Sequence, residues 1–267
     1  MWLRTHSQGA ALILGVLVIG GGWYAWHYDS IDAIEGSLAI GVGSSILAAA
    51  IVASLSPANE AGFRKFISLG IDDVWSSRRA INERDWVDWV GRATSRCVLL
   101  GIAHGNWCDD KRFAPALRDR LQEGVEFVIL FLNPNTTFAD DREQEEKGKR
   151  ITTDKIRKSI EFMWERRQEL EPGVQPRLQL YVYQGTPSCG LTWITGRDEF
   201  MVVTHYLSRV PNVECPALLV RRPPGGIERC LYDTYADNLH KIVTEASIRI
   251  DEANIAEFLP KKVEGNN

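Results

Sequence analysis

The sequence predicts an α/β protein: an N-terminal transmembrane helical hairpin followed by a mixed-sheet α/β domain. Three observations carry this. Two long uncharged apolar runs lie near the amino terminus; two continuous apolar runs flank a helical pattern that ends in glycine; four strand-like runs precede a last helix. The chain has 267 residues, enough for a membrane segment and one domain with its own core. Its formal charge of −4 is not the basic balance of a dedicated nucleic-acid binder, whose affinity comes from Lys and Arg neutralising phosphates.

The first apolar run spans residues 9–26 and the second residues 36–55, both free of charge. At about 1.5 Å per helical residue each reaches across a hydrocarbon core, the first only just. Neither run shows the polar stripe of a core helix, and only Asp29, Asp32 and Glu35 interrupt the stretch between them. Arg4 precedes the pair, while Arg64, Lys65, Arg78 and Arg79 follow it, so the positive-inside rule places both termini in the cytoplasm of a multi-pass inner-membrane protein. Trp23, Tyr24, Trp26 and Tyr28 fall where an outer aromatic belt belongs. The rival reading is a cleaved signal peptide, but no small-x-small site follows the first run, and the second run would still act as a stop-transfer segment. Gly41, Ser45, Ala49 and Ala53 repeat every four residues, a small-residue stripe suited to helix association or to packing within the hairpin. The hairpin is expected over residues 1–57.

Residues 58–95 read as a helical connector. Phe63, Phe66, Ile67, Ile71, Val74 and Trp75 are spaced for one helix face, and Asp85 to Val90 form a second amphipathic piece. The α/β domain is expected over 96–250. Residues 97–103 suit a strand buried on both faces, 111–123 a helix stopped by Gly124, and 125–132 a second buried strand, which makes a βαβ unit with parallel strands. A charged helix is predicted over about 140–171, with Ile151, Ile156, Ile160, Met163 and Trp164 on its apolar face. Strands are predicted over 177–183, 191–195, 199–206 and 217–221, with a hairpin turn at 196–198, then a helix over about 227–250 and a tail over 251–267.

Ligands of open α/β sheets bind beyond the carboxyl ends of parallel strands. Those ends carry His104, Gly105 and Asn106 after the first strand, and Asn133 to Thr136 after the second. The first loop opens a helix, so its free N–H groups are candidates for a phosphate, with His104 and Asn106 as added donors; plain capping is the alternative. Asn133 and Asn135 join them as ligand candidates, and so do His205 and Arg209 at the end of the second strand hairpin. The five cysteines show no CxxC pair and no zinc spacing, so no metal and no cofactor is expected.

Val98 to Ala103 with its helix, followed by Gly124, Val125 and the apolar strand to Asn133 and Pro134, resembles one half of a phospholipase D-like fold. The hairpin from Trp193 to His205 and the strand from Cys215 to Leu218 look like degenerate parts of the same superfamily. That resemblance implies an active site built on His-x-Lys. Here the residues two positions after the histidines are Gln8, Asp29, Asn106, Leu207 and Ile242, so the resemblance is to a non-catalytic relative and no catalytic residue is predicted. A two-helix anchor on such a domain resembles the membrane-spanning effectors of bacterial antiviral defence of the retron or cyclic-nucleotide type. In these the soluble part senses a nucleotide or a nucleic-acid-containing partner complex and the helices disrupt the inner membrane, causing abortive infection. The partners so implied are the lipid bilayer, that signal, and further copies of the chain through the transmembrane stripe. The rivals are a membrane-tethered phosphodiesterase or nuclease using His104 or His205, and a membrane scaffold for another protein.

Overall fold

The computed structural model describes residues 66–145, 152–185, 188–207, 210–223 and 230–260. The predicted hairpin, with Gly41, Ser45, Ala49 and Ala53, and the candidate Arg209 lie outside the described residues. Among the described residues no helix is long and apolar enough to cross a membrane. The chain divides into two compact units at Ser68, and the second carries a single eight-stranded sheet.

Strand β1 (Ile71–Trp75) leads into a 3-10 turn (Arg78–Ala80) and helix α1 (Glu83–Arg92). Then come β2 (Arg96–Gly101), the short α2 (Gly105–Asp109), α3 (Phe113–Gln122) and β3 (Glu126–Leu132). Helices α4 (Thr137–Glu145) and α5 (Thr152–Gln168) precede β4 (Leu178–Tyr183), β5 (Cys189–Thr195), β6 (Phe200–His205) and β7 (Ala217–Val220). Helix α6 (Leu231–Glu245) and β8 (Ser247–Arg249) close the unit. The spatial order is β1-β7-β6-β5-β2-β3-β4-β8. The β2, β3 and β4 ladders are parallel, as the βαβ pattern predicts for the first two, and every other pairing is antiparallel.

The central strands are continuous apolar runs because both of their faces are covered. Cys97 to Leu100 and Phe127 to Leu132 are all buried. On one face Phe200 of β6 meets Trp89 of α1 edge-on, and α1 in turn meets α2 through Trp86 and Trp107. On the other face His205 and Trp193 meet Tyr235 and Tyr232 of α6. Trp193 donates to the Tyr232 hydroxyl over 2.7 Å, and that hydroxyl donates to Glu199, which pins α6 to the β5–β6 hairpin.

Two parts of the predicted organisation change. Residues 71–75, assigned to a helical connector, form the edge strand β1, paired with β7 from Ile71 opposite Val220 to Trp75 opposite Ala217. The reason is that Ile71, Val74 and Trp75 satisfy a helical period, but the carbonyls and amides of β7 need a partner on that side. The final helix ends at Glu245, and residues 247–249 turn back as β8 along the outer edge of β4. The segment taken as a tail from 251 is also held down as far as residue 260: Phe258 is buried, and Arg157 of α5 donates to the carbonyls of Glu257 and Leu259 at 3.0 and 3.1 Å.

Candidate functional site

A chamber of about 200 Å³ opens beyond the carboxyl end of β2, where the sheet changes from a parallel to an antiparallel ladder. Its floor is one face of the β5–β6 hairpin: Gly190, Thr192, Val202 and Thr204, which the antiparallel register sets opposite one another in pairs. The loop from Ile102 to Trp107 forms one wall, and Arg78, Trp86, Asn212 and Val213 close another. Lys155 of α5 reaches the lining from the exposed side. Among the described residues no carboxylate lines it.

Three features show how unusually its polar groups are placed. Arg78 begins the 3-10 turn after β1, with its backbone N–H donating to Cys215 and its guanidinium stacked 4.7 Å over the Trp86 ring. Among the described residues no carboxylate pairs with it, and burial lowers its pKa from the ordinary arginine value. An arginine stays protonated even so, so the turn holds a half-buried positive charge with no counterion among the described residues. Thr192 and Thr204 are each only 5% exposed, and neither hydroxyl has a hydrogen-bond partner among the described residues. The Asn212 side-chain oxygen is enclosed and likewise unpartnered. An oxygen as enclosed as that of Asn212 is nearly always satisfied in native interiors, and leaving it empty costs about 1–3 kcal/mol.

Glycines shape the chamber. A Cβ on Gly190 would lie 2.7 Å from the Tyr206 hydroxyl, so the missing side chain is what lets this phenol sit over the floor. A Cβ on Gly101 would lie 2.8 Å from the His104 ring. His104 occupies a left-handed backbone conformation at φ 52° and shares a 2.9 Å hydrogen bond between its Nε2 and the Leu130 carbonyl. Since a carbonyl only accepts, Nε2 carries the proton and Nδ1 is left as an acceptor. Burial, with the nearby Arg78 charge, lowers its pKa to about 4.

Of the residues singled out from sequence, His104 and Asn106 meet in this chamber. The predicted helix-terminal phosphate cradle does not form as expected, because α2 is five residues long and sums little dipole. Asn133 and Asn135 lie elsewhere, occupied in the fold. The Asn133 side chain accepts the Asn135 N–H at 2.9 Å, and the Asn135 side chain accepts from Arg157 and donates to the Glu257 carbonyl. His205 points to the opposite face of the sheet, where it meets the Tyr235 hydroxyl at 3.1 Å and burial lowers its pKa. Sequence reasoning missed Arg78, Thr192, Thr204, Tyr206, Lys155 and Asn212. Arg78 was used there only to orient the hairpin, and threonines in strands are unremarkable as β-formers.

The family model described as Domain of unknown function (DUF5919) matches residues 73–248, from within β1 to within β8. The chain belongs to the DUF5919 family. All the chamber residues from Arg78 to Val213 fall inside the DUF5919 domain, and so does the second half of β1, which the sequence pattern had placed in a connector. No curated protein matches the chain. Among solved structures, it is similar to phosphatidylserine synthase of Haemophilus influenzae Rd KW20, at 11% identity and a TM-score of 0.47 over 70% of this chain and 40% of that one. It is also similar to the archaeal chromatin protein TrmBL2, at 11% identity and a TM-score of 0.38 over 78% of this chain and 69% of that one. The chain thus spans less than half the length of the phosphatidylserine synthase.

The chemistry this DUF5919 chamber offers is the stabilisation of an anion. Among the described residues it joins a guanidinium without a counterion, an ammonium at the rim and two hydroxyl donors, with no carboxylate to repel a phosphate.

Proposed function

We propose that the DUF5919 domain is a sensor that binds a phosphate-bearing ligand in the chamber and does not turn it over. The observation that carries this reading is the half-buried Arg78 guanidinium, paired with no carboxylate among the described residues, set against the hydroxyls of Thr192 and Thr204 on the chamber floor. A phosphate would supply a counter-charge to Arg78 and accept from both hydroxyls, forming charge-assisted hydrogen bonds worth about 1.5–3 kcal/mol each. Turnover would need a base or nucleophile beside the bound phosphate. The histidine of the chamber is buried with its pKa lowered to about 4, which leaves its free Nδ1 a weak base at neutral pH, and no histidine is followed two residues later by lysine.

The same reading gives the rest of the chain its role. The two uncharged apolar runs anchor the protein in the inner membrane with both ends in the cytoplasm, and the anchor, gathered through the Gly41 to Ala53 stripe, is the effector part of an antiviral defence protein. Arg78 is three residues past β1, the first strand of the domain. A ligand that fixes Arg78 therefore acts on the part of the domain that comes first in the chain after the anchor.

Isothermal titration calorimetry on the full-length protein in detergent tests the binding step. Inorganic phosphate and organic phosphates should bind with an affinity that falls as salt rises. Arg78→Met should weaken binding at least tenfold. Thr192→Val and Thr204→Val, which keep shape and remove only spare hydroxyls, should each weaken it several-fold without loss of thermal stability. Binding unchanged in all three variants would overturn the assignment, and phosphate release from a bound ester would overturn the non-catalytic reading.

A further inference from the structure

The chamber does not end at Arg78. Arg78, Trp86, Asn106, Trp107 and Val213 form a shared wall with a wider groove of about 1170 Å³ that continues past α2. A phosphate group needs no more than the smaller space and leaves the larger empty. The two together exceed the roughly 300–1000 Å³ that drug-sized ligands occupy, so there is room for an organic phosphate.

The groove differs in character from the chamber. Asp109, the last residue of α2, is exposed on its lining with no ion pair or hydrogen bond among the described residues. The neighbouring Asp110 is taken up by Arg112, which it binds through both oxygens at 3.0 and 2.7 Å. Val213 is one of few large apolar side chains left open, at 39% exposed, and it stands at the junction of the two spaces. Asn82 and Asn106 add amides along the same wall. Inside the chamber the enclosed Asn212 oxygen has no donor. An inorganic phosphate at neutral pH answers the cations but offers little to an orphan acceptor, a free carboxylate and an open apolar side chain. The missing complement is a group with hydroxyl donors close to the phosphate and a flat, partly apolar body carrying amino or hydroxyl groups further out.

We propose that the ligand is a nucleoside phosphate, with its phosphate in the chamber among Arg78, Thr192 and Thr204, its ribose beside Asn212, and its base in the groove against Val213 and Asp109. This rests on the sensor reading and adds to it the chemical class of the signal. Carboxylates and amides accept from ribose hydroxyls and base amino groups, and an apolar side chain packs on the base face.

The test is calorimetry on the full-length protein in detergent with four probes: inorganic phosphate, ribose 5-phosphate, mononucleotides of the four bases, and phosphodiester-linked dinucleotides, linear and cyclic. Mononucleotides or dinucleotides should bind at least tenfold more tightly than inorganic phosphate, with ribose 5-phosphate between them, and the better of the two nucleotide arms identifies the source. Asp109→Asn and Val213→Asp should each collapse the nucleotide-to-phosphate affinity ratio at least fivefold. Both positions are exposed, so the variants fold. Equal affinities for phosphate and every nucleotide, or an unchanged ratio in both variants, would overturn the nucleoside assignment while leaving the anion site standing. If neither phosphate nor any nucleotide binds, the sensor reading fails as well.

Discussion

His104 shows how a residue chosen for its chemistry can be held for its geometry. It lies at the carboxyl end of a parallel strand, the place where a ligand or a general base is expected. The protein instead keeps the ring neutral, buried against Phe131 and bonded to Leu130, with a pKa lowered to about 4. The unfolded chain would protonate it near pH 6.5. Between those values the unfolded state binds more protons, so stability rises with pH through this window and is lost as pH falls, by about 3 kcal/mol from pH 7 to pH 4. His104→Gln keeps an amide donor for Leu130 and does not titrate. Its urea unfolding midpoint should therefore drop less between pH 7 and pH 4.5 than that of the wild type. Equal drops would show that the ring is protonated in the folded protein. The thiols behave in the same manner: burial pushes Cys108 up to about 12 and raises Cys189, so these are packing groups and not nucleophiles at neutral pH.

At the scale of elements, the segment from 250 to 260 is held to the body by one arginine. Arg157 is buried in α5 and reaches two carbonyls of that segment as well as Asn135 in the loop after β3. Hydrogen bonds to charged groups contribute about 1.5–3 kcal/mol, and removing the arginine leaves its acceptors to water or to nothing. Arg157→Leu should release this segment locally. Hydrogen exchange should speed up at residues 251–260 and in the 133–136 loop, while the β2–β3 core stays protected; unchanged exchange at 251–260 would show that Phe258 packing alone holds it. The Asn133 and Asn135 amides were visible in the sequence as polar groups at a strand end, but not the arginine that consumes them, because it lies 22 residues from Asn135. The doubly buried strands were legible because a run such as Phe127 to Leu132 has one structural use. Edge strands were not: Ile71 to Trp75 carries Asp72 and Asp73, and β8 has three residues, so neither has a pattern apart from its neighbour. The chamber was half legible, since its strand-end loop follows a rule of α/β sheets. Arg78, Lys155, Thr192 and Asn212 come from four remote segments, and only folding gathers them.

For the whole molecule, the proposed sensor function ties together two parts that follow one another in the chain. The proposed anchor comprises two uncharged runs whose small residues Gly41, Ser45, Ala49 and Ala53 would allow helix backbones to approach closely. The domain supplies Arg78, a charge with no carboxylate partner among the described residues, on the turn after the first strand. A ligand can shift the protein between two states only by as much as its affinities for them differ, so the site and the stripe must both be intact for a response. Overexpression of the full chain in a bacterial cell should depolarise the inner membrane, read with a potential-sensitive dye. Gly41→Leu or Ser45→Leu should abolish depolarisation while the protein stays in the membrane fraction, because a bulky residue separates the helices without reducing their apolarity. Arg78→Met should abolish it by the other route, leaving the protein folded in the membrane but deaf to its ligand. Depolarisation that survives Arg78→Met but not Gly41→Leu would detach membrane action from the chamber. A protein recovered in the soluble fraction without detergent would remove the anchor from the account altogether.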